Sequence, residues 1–418
     1  MNLNRVVVTG LGALTPIGDS CPKFWNNLIK GVSGASPITR IDASKFKTQF
    51  ACEIKDFNFL NYFDINIKEV RKLDLFSQFA LVVAKEAFED AKVDFSAINR
   101  NKVGVVWGTG VGGFCSYEED INPFLTGDGT PRFSPFFITK IIGNIAAGQI
   151  SIMFGLEGPN CGVTSACASS ANAISVAYNL IRLGKVDMMI AGGSEAPVNY
   201  SGLGGFGAMR ALSTRNDDPQ TASRPFDKTR DGFVLAEGAA ALILESLDHA
   251  KARGAKIYAE LGACGLSSDA YHITASHPDG KGARMAMQNA LDEAELPASS
   301  VDYINAHGTA TPMGDVAEVK AIVDLLGDHA YDINISSNKS MLGHMMGAAG
   351  AIESVATVLT IQNGIIPPTI NHFEDDETLP KLNYTFNKAQ ERNVEVALSN
   401  AFGFGGHNVS LLFKKYKV

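Results

Sequence analysis

One cysteine stands where a β-branched run gives way to very small residues, in "VTSACASSANAI" at residues 163–174. After Cys167 the apolar residues recur at helical spacing, so we predict that Cys167 lies at or just before the first turn of a helix. The free N–H groups and the positive dipole end of a helix favour a thiolate over a thiol. The pattern therefore predicts a nucleophilic cysteine; a small buried cysteine with a packing role is the alternative.

A histidine followed by two threonines is the second candidate. His307 comes after the strand-like "VDYI", within "NAHGTATPMGD" at residues 305–315. Histidine can transfer protons near neutral pH, whereas a lone histidine also serves purely structural roles. Asp315 and Glu318 have the spacing of a capping box, which predicts that they start the next helix.

A lysine and a second histidine precede a run of small residues. Lys339 and His344 lie in "SSNKSMLGHMMGAAGAIES", residues 336–354. A helix of such residues can lie very close to another backbone, although glycine weakens it in isolation. Glu353 falls inside this otherwise apolar helix, so its carboxylate is expected to have a partner. A solvated loop charge is the alternative interpretation of Lys339.

A glycine-rich segment near the C-terminus is the fourth candidate. The letters "SNAFGFGGHN", residues 399–408, stand between two strand-like runs and predict a tight turn within a hairpin. Glycines at such a turn allow the backbone to approach a ligand closely. An ordinary glycine-rich turn is the alternative.

The elements that must position these residues alternate between strand and helix. Strand-like runs cover 5–10, 102–110, 186–193, 240–246, 256–265, 301–308, 333–340 and 394–406. Helical patterns cover 76–91, 168–183, 283–295, 315–326 and 346–363. Buried β-branched runs that alternate with helices predict an α/β protein whose sheets are covered by helices. We place a boundary near residue 255, which divides the chain into halves 1–255 and 256–418.

Composition restricts the class of protein. The 418 residues carry a net charge of −8, 45% hydrophobic and 19% charged residues, which suits a large core. An acidic chain is a poor partner for nucleic acid, and no apolar run is long enough for a membrane span. The N-terminus lacks a signal-peptide layout, and six scattered cysteines favour a reducing cytoplasm over disulfides or a zinc site.

Competing motifs are incomplete. "TGLGALTP" begins like a dinucleotide fingerprint, but Thr15 stands where the third glycine belongs. The sequence contains no GxxxxGK[ST], HExxH or GxSxG, which excludes a P-loop, a zincin and a hydrolase elbow. "GTGVGGF", residues 108–114, lacks a phosphate-binding lysine and is interpreted as a pocket lining.

Taken together and in this order, the four segments resemble the β-ketoacyl-acyl carrier protein synthases, most closely the synthase II type of bacterial fatty acid synthesis. The resemblance runs from "RVVVTGLGALTPIG" to the C-terminus, and includes "GGFGAMRALSTRNDDPQTASRPFDKTRDGFV" and "IIPPTINHF". It implies a thiolase-like α/β fold in which two similar halves form a five-layered αβαβα sandwich. The active site is then expected between the halves.

The resemblance implies a decarboxylative Claisen condensation without a redox cofactor. Cys167 would accept the acyl group, and His307 and His344 would donate N–H groups to the enolate oxygen that forms when malonyl loses CO2. The backbone N–H groups of Cys167 and Phe404 would hold the tetrahedral oxyanion. Our hypothesis for Lys339 is that its charge disfavours imidazolium and so keeps both histidines neutral.

Further residues match substrate and cation positions of the family. Thr309 and Thr311 match threonines that hydrogen-bond the phosphopantetheine arm, and Val111, Phe402 and Phe404 match positions that line or gate the acyl pocket. Glu353 is the expected partner of Lys339. Some relatives hold a monovalent cation near residues that match Asn305, Glu353 and Asn400.

The expected partner is an acyl carrier protein that brings acyl and malonyl groups. Such carriers are acidic, so this acidic chain needs a local basic patch for docking. Lys68, Arg71, Lys72 and Arg210 match the docking residues; an ordinary solvated helix face is the alternative. The family also implies a homodimer, with no nucleic acid and no membrane involved.

Three alternatives stay open at the level of sequence. A thiolase fits the Cys-His-His combination less well than a decarboxylating synthase does. A ketosynthase of a polyketide or aryl-polyene pathway would show similar motifs. A non-catalytic chain-length partner subunit usually loses the nucleophile, whereas this chain keeps Cys167 with both histidines.

Overall fold

The structure, a computed structural model, describes residues 3–417 as an α/β protein. The strands are β1 Val6–Leu14, β2 Ser36–Pro37, β3 Phe50–Ala51, β4 Val103–Gly108, β5 Asn160–Val163, β6 Met188–Glu195, β7 Gly238–Ser246, β8 Ala259–Ser268, β9 Tyr303–Asn305, β10 Asn334–Ser336, β11 Ile365–Ile366, β12 Gln390–Glu391, β13 Val396–Gly403 and β14 His407–Lys414. The α-helices are α1 Cys21–Ile29, α2 Ile67–Val70, α3 Leu75–Asp90, α4 Phe114–Thr126, α5 Phe137–Ile141, α6 Ile145–Phe154, α7 Ser169–Arg182, α8 Tyr200–Ala208, α9 Leu247–Ala252, α10 Lys281–Glu293, α11 Pro312–Leu326, α12 Lys339–Leu342 and α13 Ala349–Asn363.

A ten-stranded sheet forms the framework, in the order β10-β9-β13-β14-β8-β1-β7-β6-β4-β5. From its centre outward, the first half runs β1-β7-β6-β4-β5 and the second runs β8-β14-β13-β9-β10. In both halves the first two pairings are antiparallel and the last two are parallel. The same five-stranded topology therefore occurs twice, as the predicted pair of similar halves requires.

Backbone hydrogen bonds between one strand of each half join the two halves. Antiparallel pairing of Val6 with Leu261 and of Val8 with Ala259 connects β1 directly to β8. Each half keeps its own five strands, and three residue pairs between β1 and β8 connect them into one hydrogen-bonded sheet. The boundary near residue 255 itself stays a prediction.

Helices divide the molecule into five layers. Helices α3 and α6 cover the outer face of the first half, and α10, with α11 beside it, covers that of the second. Helices α7 and α13 contact each other and the strands of both halves, so they form the central layer. The small residues of both helices, which include Ala171 and Gly350, permit this close crossing.

Most predicted elements lie where the periodicity placed them. The long strands β1, β6, β7 and β8 and the helices α3, α7, α10 and α13 agree with the sequence patterns within a few residues. The exceptions are β9 and β10, which span three residues each and end where polar site residues begin. Within the described residues, no helix combines the length and apolar character that crossing a membrane requires.

Candidate active site

Cys167 lies immediately before α7, as its sequence context predicts. The helix begins at Ser169, its N-cap is Ala168, and Cys167 is only 4% exposed. Ala166 adopts a left-handed backbone with φ of +50°, which is costly for a residue with a Cβ and holds the chain in a sharp turn. At Gly403 a Cβ would lie 3.1 Å from the Cys167 backbone nitrogen, so this glycine permits the C-terminal turn to reach the nucleophile.

The prediction that Cys167 favours the thiolate form is wrong for the protein without substrate. Burial raises the pKa of the Cys167 thiol to about 11, although the Lys339 charge and the backbone N–H of Phe404 lower it. Desolvation of a fully enclosed sulfur therefore outweighs the helix terminus. The thiol must lose its proton during a reaction and does not hold a stable thiolate beforehand.

His344 is the group that contacts this thiol. Its Nε2 lies 3.0 Å from the Cys167 Sγ, across the boundary between the two halves. The His344 backbone N–H donates to Val234, its carbonyl accepts from Ala236, and the Phe233 ring packs edge-on to the imidazole. Burial and then the Lys339 charge hold the pKa of His344 well below its usual range, so the imidazole is neutral.

His307 faces His344, with ring centroids 5.5 Å apart. Burial, the Lys339 charge and His344 together hold the pKa of His307 well below its usual range. The Glu318 carboxylate accepts the backbone N–H groups of His307 and Gly308, both at 2.8 Å. This buried carboxylate therefore fixes the loop that presents His307.

The predicted capping box is wrong. Helix α11 begins at Pro312 with Thr311 as N-cap, and no side chain caps it. Asp315 instead accepts the Phe226 backbone N–H, and Glu318 holds the His307 loop. Both acidic residues are buried within α11 because their partners come from other segments, and a pattern of spacing along the chain could not reveal this.

Lys339 and Glu353 form the predicted pair. Lys339 Nζ contacts the Glu353 carboxylate and lies 3.5 Å from Nδ1 of His307. Both members are almost completely buried, at 2% and 1% exposure. The lysine charge therefore lies directly behind the histidines, as the hypothesis about Lys339 requires, although burial is the larger cause of their lowered pKa values.

A cavity of about 440 Å³ opens onto these groups. Cys167, His307, His344, Thr309, Thr311, Phe402 and Phe404 all line it. The two threonine hydroxyls lie 3.2 Å apart, and Phe402 packs against the His307 ring. Residues from both halves thus share one cavity around the sulfur.

Val111 is not brought to this cavity. Its backbone N–H donates to Glu195 at 3.2 Å, in the loop that follows β4. The acyl-pocket role of Val111 is therefore a prediction that the cavity geometry does not support.

The predicted docking residues lie on the surface. Lys68 and Arg71 are exposed on and next to α2, and Arg210 is exposed beside the cavity-lining Met209. Lys72 is less available, because its Nζ pairs with Glu69 at 2.7 Å. Contact with a carrier stays a prediction.

Two of the three residues expected near a monovalent cation carry a buried oxygen without a hydrogen-bond partner among the described residues. Asn305 Oδ1 and Glu353 Oε2 are buried and accept no hydrogen bond from any described residue, which suits a cation of low charge. Asn400 is already satisfied, since its amide donates to Glu318 and its oxygen accepts from Ser410. Asn305 and Glu353 therefore fit such an ion, and Asn400 fits it less well.

Two buried carboxylates support the site in ways that the sequence patterns do not indicate. Glu318 has the spacing of a capping-box residue but holds the His307 loop, and Glu195 stands at the end of an apolar strand. An acidic residue directly after an apolar run, as in "IAGGSEAP", is the one signal in the sequence that points to Glu195.

Comparison with known proteins agrees with the geometry. "Beta-ketoacyl synthase, N-terminal domain" matches residues 3–250, and "Beta-ketoacyl synthase, C-terminal domain" matches residues 258–373. The 3-oxoacyl-[acyl-carrier-protein] synthase 2 of Synechocystis sp. is 48% identical over 413 residues, which are 99% of this chain and 98% of the relative. That of Coxiella burnetii is 46% identical over 415 residues, 99% of each chain.

Solved structures show the same fold over the whole chain. The ishigamide ketosynthase/chain length factor aligns with a TM-score of 0.92 at 34% identity, covering 99% of this chain and 100% of the other. A β-ketoacyl synthase from Burkholderia phymatum aligns with a TM-score of 0.91 at 34% identity and the same coverage. The chain has the thiolase-like fold and belongs to the β-ketoacyl synthase family.

Proposed function

We propose that this protein is an acyltransferase that elongates acyl chains by decarboxylative condensation, as a 3-oxoacyl-acyl carrier protein synthase of fatty acid synthesis. The observation that carries the proposal is the 3.0 Å contact between Cys167 Sγ and His344 Nε2, with His307 beside it in one cavity. A nucleophile and two neutral imidazoles in a buried site suit both halves of that reaction.

In the first half-reaction the Cys167 sulfur attacks the thioester carbonyl of an acyl carrier. The Cys167 thiol loses its proton as the carbon–sulfur bond forms, and the sulfur of the departing carrier takes up a proton, so no net proton is gained or lost. We expect the backbone N–H groups of Cys167 and Phe404 to hold the oxyanion of the tetrahedral intermediate. The product is an acyl-enzyme thioester.

In the second half-reaction malonyl-carrier loses CO2 from the same cavity. The carbon–carbon bond breaks, and its electron pair forms an enolate whose oxygen accepts N–H groups from His307 and His344. The enolate carbon attacks the acyl carbon, the bond to Cys167 breaks, and the sulfur recovers a proton from solution. Acyl carrier, malonyl carrier and a proton thus become 3-oxoacyl carrier, free carrier and CO2.

Lys339 supports this step without touching substrate. Its positive charge lies next to the histidines and disfavours their protonation. Burial of the imidazoles disfavours protonation further, so both histidines stay neutral. A monovalent cation beside Asn305 Oδ1 and Glu353 Oε2 would supply additional positive charge behind the same residues.

We infer that an acidic acyl carrier docks on the exposed cations of α2 and on Arg210. We further infer a homodimer, because β5 is an exposed edge strand and the neighbouring α5 and α6 expose Ile138 and Ile152 at 61% and 75%. Unpaired strand edges and apolar patches of this kind favour association with a second copy. The six free cysteines suit a reducing cytoplasm.

A variant of His307 separates the two half-reactions. His307→Ala is expected to keep acyl transfer to Cys167, because His344 is the residue in contact with the sulfur. It is expected to lower CO2 release from malonyl carrier by ~10²–10³-fold, the usual cost of losing one oxyanion donor. The measurement is CO2 release beside intact-mass detection of the acyl-enzyme.

Equal loss of both activities in a folded His307→Ala protein would contradict this division of roles. A non-catalytic partner subunit would show neither activity even in the wild type. A polyketide ketosynthase would instead reject saturated acyl carriers, and the greater identity to synthase 2 relatives favours fatty acid elongation.

A further inference from the structure

Glu195 is a fully buried carboxylate that ends β6 close to the active site. Its oxygens accept hydrogen bonds from the Gly110 N–H at 2.6 Å, the Gly347 N–H at 2.9 Å, the Val111 N–H at 3.2 Å and the Thr109 hydroxyl at 2.9 Å. No lysine or arginine within the described residues forms an ion pair with it. Four donors from two separate segments thus hold a carboxylate that no cation neutralises.

The first of these segments lies against the nucleophile. The Thr109 carbonyl accepts the Thr164 hydroxyl at 3.0 Å, and the Thr109 N–H donates to Val163. A Cβ on Gly110 would meet the Ala166 carbonyl oxygen at 3.7 Å. The loop from Thr109 to Val111 therefore packs on the residues that lead into Cys167.

The second segment is the turn that follows His344. Gly347 is three residues beyond His344, and a Cβ on Gly347 would lie 2.3 Å from the Gly110 nitrogen. Met346 adopts a left-handed backbone with φ of +45°, so the turn is held in a conformation that it would not adopt freely. The two backbones can touch because Gly347 has no Cβ, and a Cβ on Gly110 would meet the Glu195 carboxylate at 2.9 Å.

We propose that Glu195 is a positioning residue: it joins the loop at residues 109–111, which packs on the residues that lead into Cys167, to the turn that follows His344, and thereby sets the Sγ–Nε2 contact across the two halves. Misplacement of reacting groups by about 1 Å costs on the order of a hundredfold in rate, so loss of these hydrogen bonds is expected to slow acylation of Cys167. The test of this inference by acylation rate rests on the proposed function, whereas its test by alkylation of Cys167 does not.

Glu195→Gln is the decisive variant. A glutamine keeps the volume but presents an amide in place of one oxygen, and it cannot accept all three backbone N–H groups. Acyl transfer to Cys167 is expected to fall by at least about tenfold. Loss of the charge is also expected to move the pH midpoint of Cys167 alkylation by iodoacetamide downward, because Glu195 raises the pKa of this thiol.

The groups that face Cys167 in this titration are Lys339, His344 and Glu195, and only Glu195 is changed. The matched control is Glu245→Gln, at the opposite end of the β6–β7 strand pair. Glu245 is equally buried and accepts from Arg253, His249 and Thr9. Its substitution is expected to lower the unfolding temperature but to leave both the alkylation midpoint and the acylation rate near wild type.

Acylation in Glu195→Gln that equals the Glu245→Gln rate, or an alkylation midpoint that stays in place, would overturn the inference. If Glu195→Gln does not fold, Thr109→Val removes one of the four donors at nearly constant volume, together with the acceptor of the Gly112 N–H. It is expected to lower acylation about threefold, and a wild-type rate there would overturn the inference equally. A wild-type protein that is alkylated but never acylated would contradict the proposed function instead.

Discussion

At the scale of single residues, Cys167 and His344 form a neutral pair. Burial raises the pKa of the thiol to about 11 and lowers that of the imidazole well below its usual range, so the ion pair is disfavoured at rest. Proton transfer therefore accompanies attack on a substrate and does not precede it. The same burial keeps both histidines available as neutral N–H donors.

Lys339 is expected to set the pH range of activity. Replacing it with methionine, Lys339→Met, removes a cause of the lowered histidine pKa values, which then rise toward their ordinary value. Since activity requires neutral imidazole, the acidic limb of the pH–rate profile should move to higher pH. The measurement is condensation rate against pH.

The double variant Lys339→Met/Glu353→Gln is the control for this prediction. Removing the lysine alone leaves a buried carboxylate without its partner, which is destabilising for a separate reason. The same movement of the acidic limb is expected in both variants. A profile with an unmoved acidic limb in either one would contradict the role of Lys339.

The sequence predicted those site residues whose signal is local. Cys167 before small helix-forming residues, and His307 and His344 beside glycines, could be identified by type and spacing. Glu318 and Glu195 could not, because each carboxylate is satisfied by backbone N–H groups that the fold brings from distant segments. The resting thiol at Cys167 was also missed, since burial cannot be read from a helix terminus.

At the scale of elements, the site depends on the crossing of α7 and α13 in the central layer. A Cβ on Gly350 would lie 2.8 Å from the Cβ and 2.9 Å from the backbone nitrogen of Ala171. Ala171 belongs to the first turn of α7, four residues after Cys167, so this crossing fixes the nucleophile helix. Close packing there leaves no room for a larger residue.

Gly350→Ala is expected to destabilise the protein despite alanine's higher helix propensity. Overpacking of this kind costs about 1–3 kcal/mol in the free energy of unfolding. The matched control is Gly205→Ala in α8, where a Cβ would meet nothing within 4 Å. It is expected to be neutral or to stabilise by about 0.5–1 kcal/mol. Denaturant unfolding measures both, and equal values for the two variants would contradict the packing argument.

Long periodic segments were predicted well at this scale, since β-branched runs and helical spacing reflect burial directly. The positions at which strands end were predicted less well. The run at 301–308 forms a strand of only three residues, because the chain turns after Asn305 to present His307. The order of strands in the sheet could not be predicted from local patterns, which carry no information on pairing.

At the scale of the whole molecule, two copies of one strand topology enclose a single cavity. Neither half holds a complete site, because Cys167 comes from the first and both histidines from the second. The chain shows no literal repetition, so only the sheet order makes the duplication visible. The direct β1–β8 pairing connects the two halves through backbone hydrogen bonds.

Association into a dimer is expected to use the face that holds β5, α5 and α6. Ile152→Lys places a charge on a side chain that is 75% exposed there, and it should shift the protein toward monomer. Ile273→Lys, at a residue that is 76% exposed on the loop beside the cavity, is the matched control and should stay dimeric. Light scattering after size-exclusion chromatography measures both; an Ile152→Lys dimer as stable as wild type would contradict this interface.

The central claim is that Cys167 accepts an acyl group from a carrier protein, and intact mass tests it most directly. The protein is incubated with acyl carriers from C4 to C16, and wild type is compared with Cys167→Ala. The account predicts an acyl adduct on wild type that is absent from the folded variant. An adduct that persists in Cys167→Ala, or none on wild type with any chain length, would contradict it.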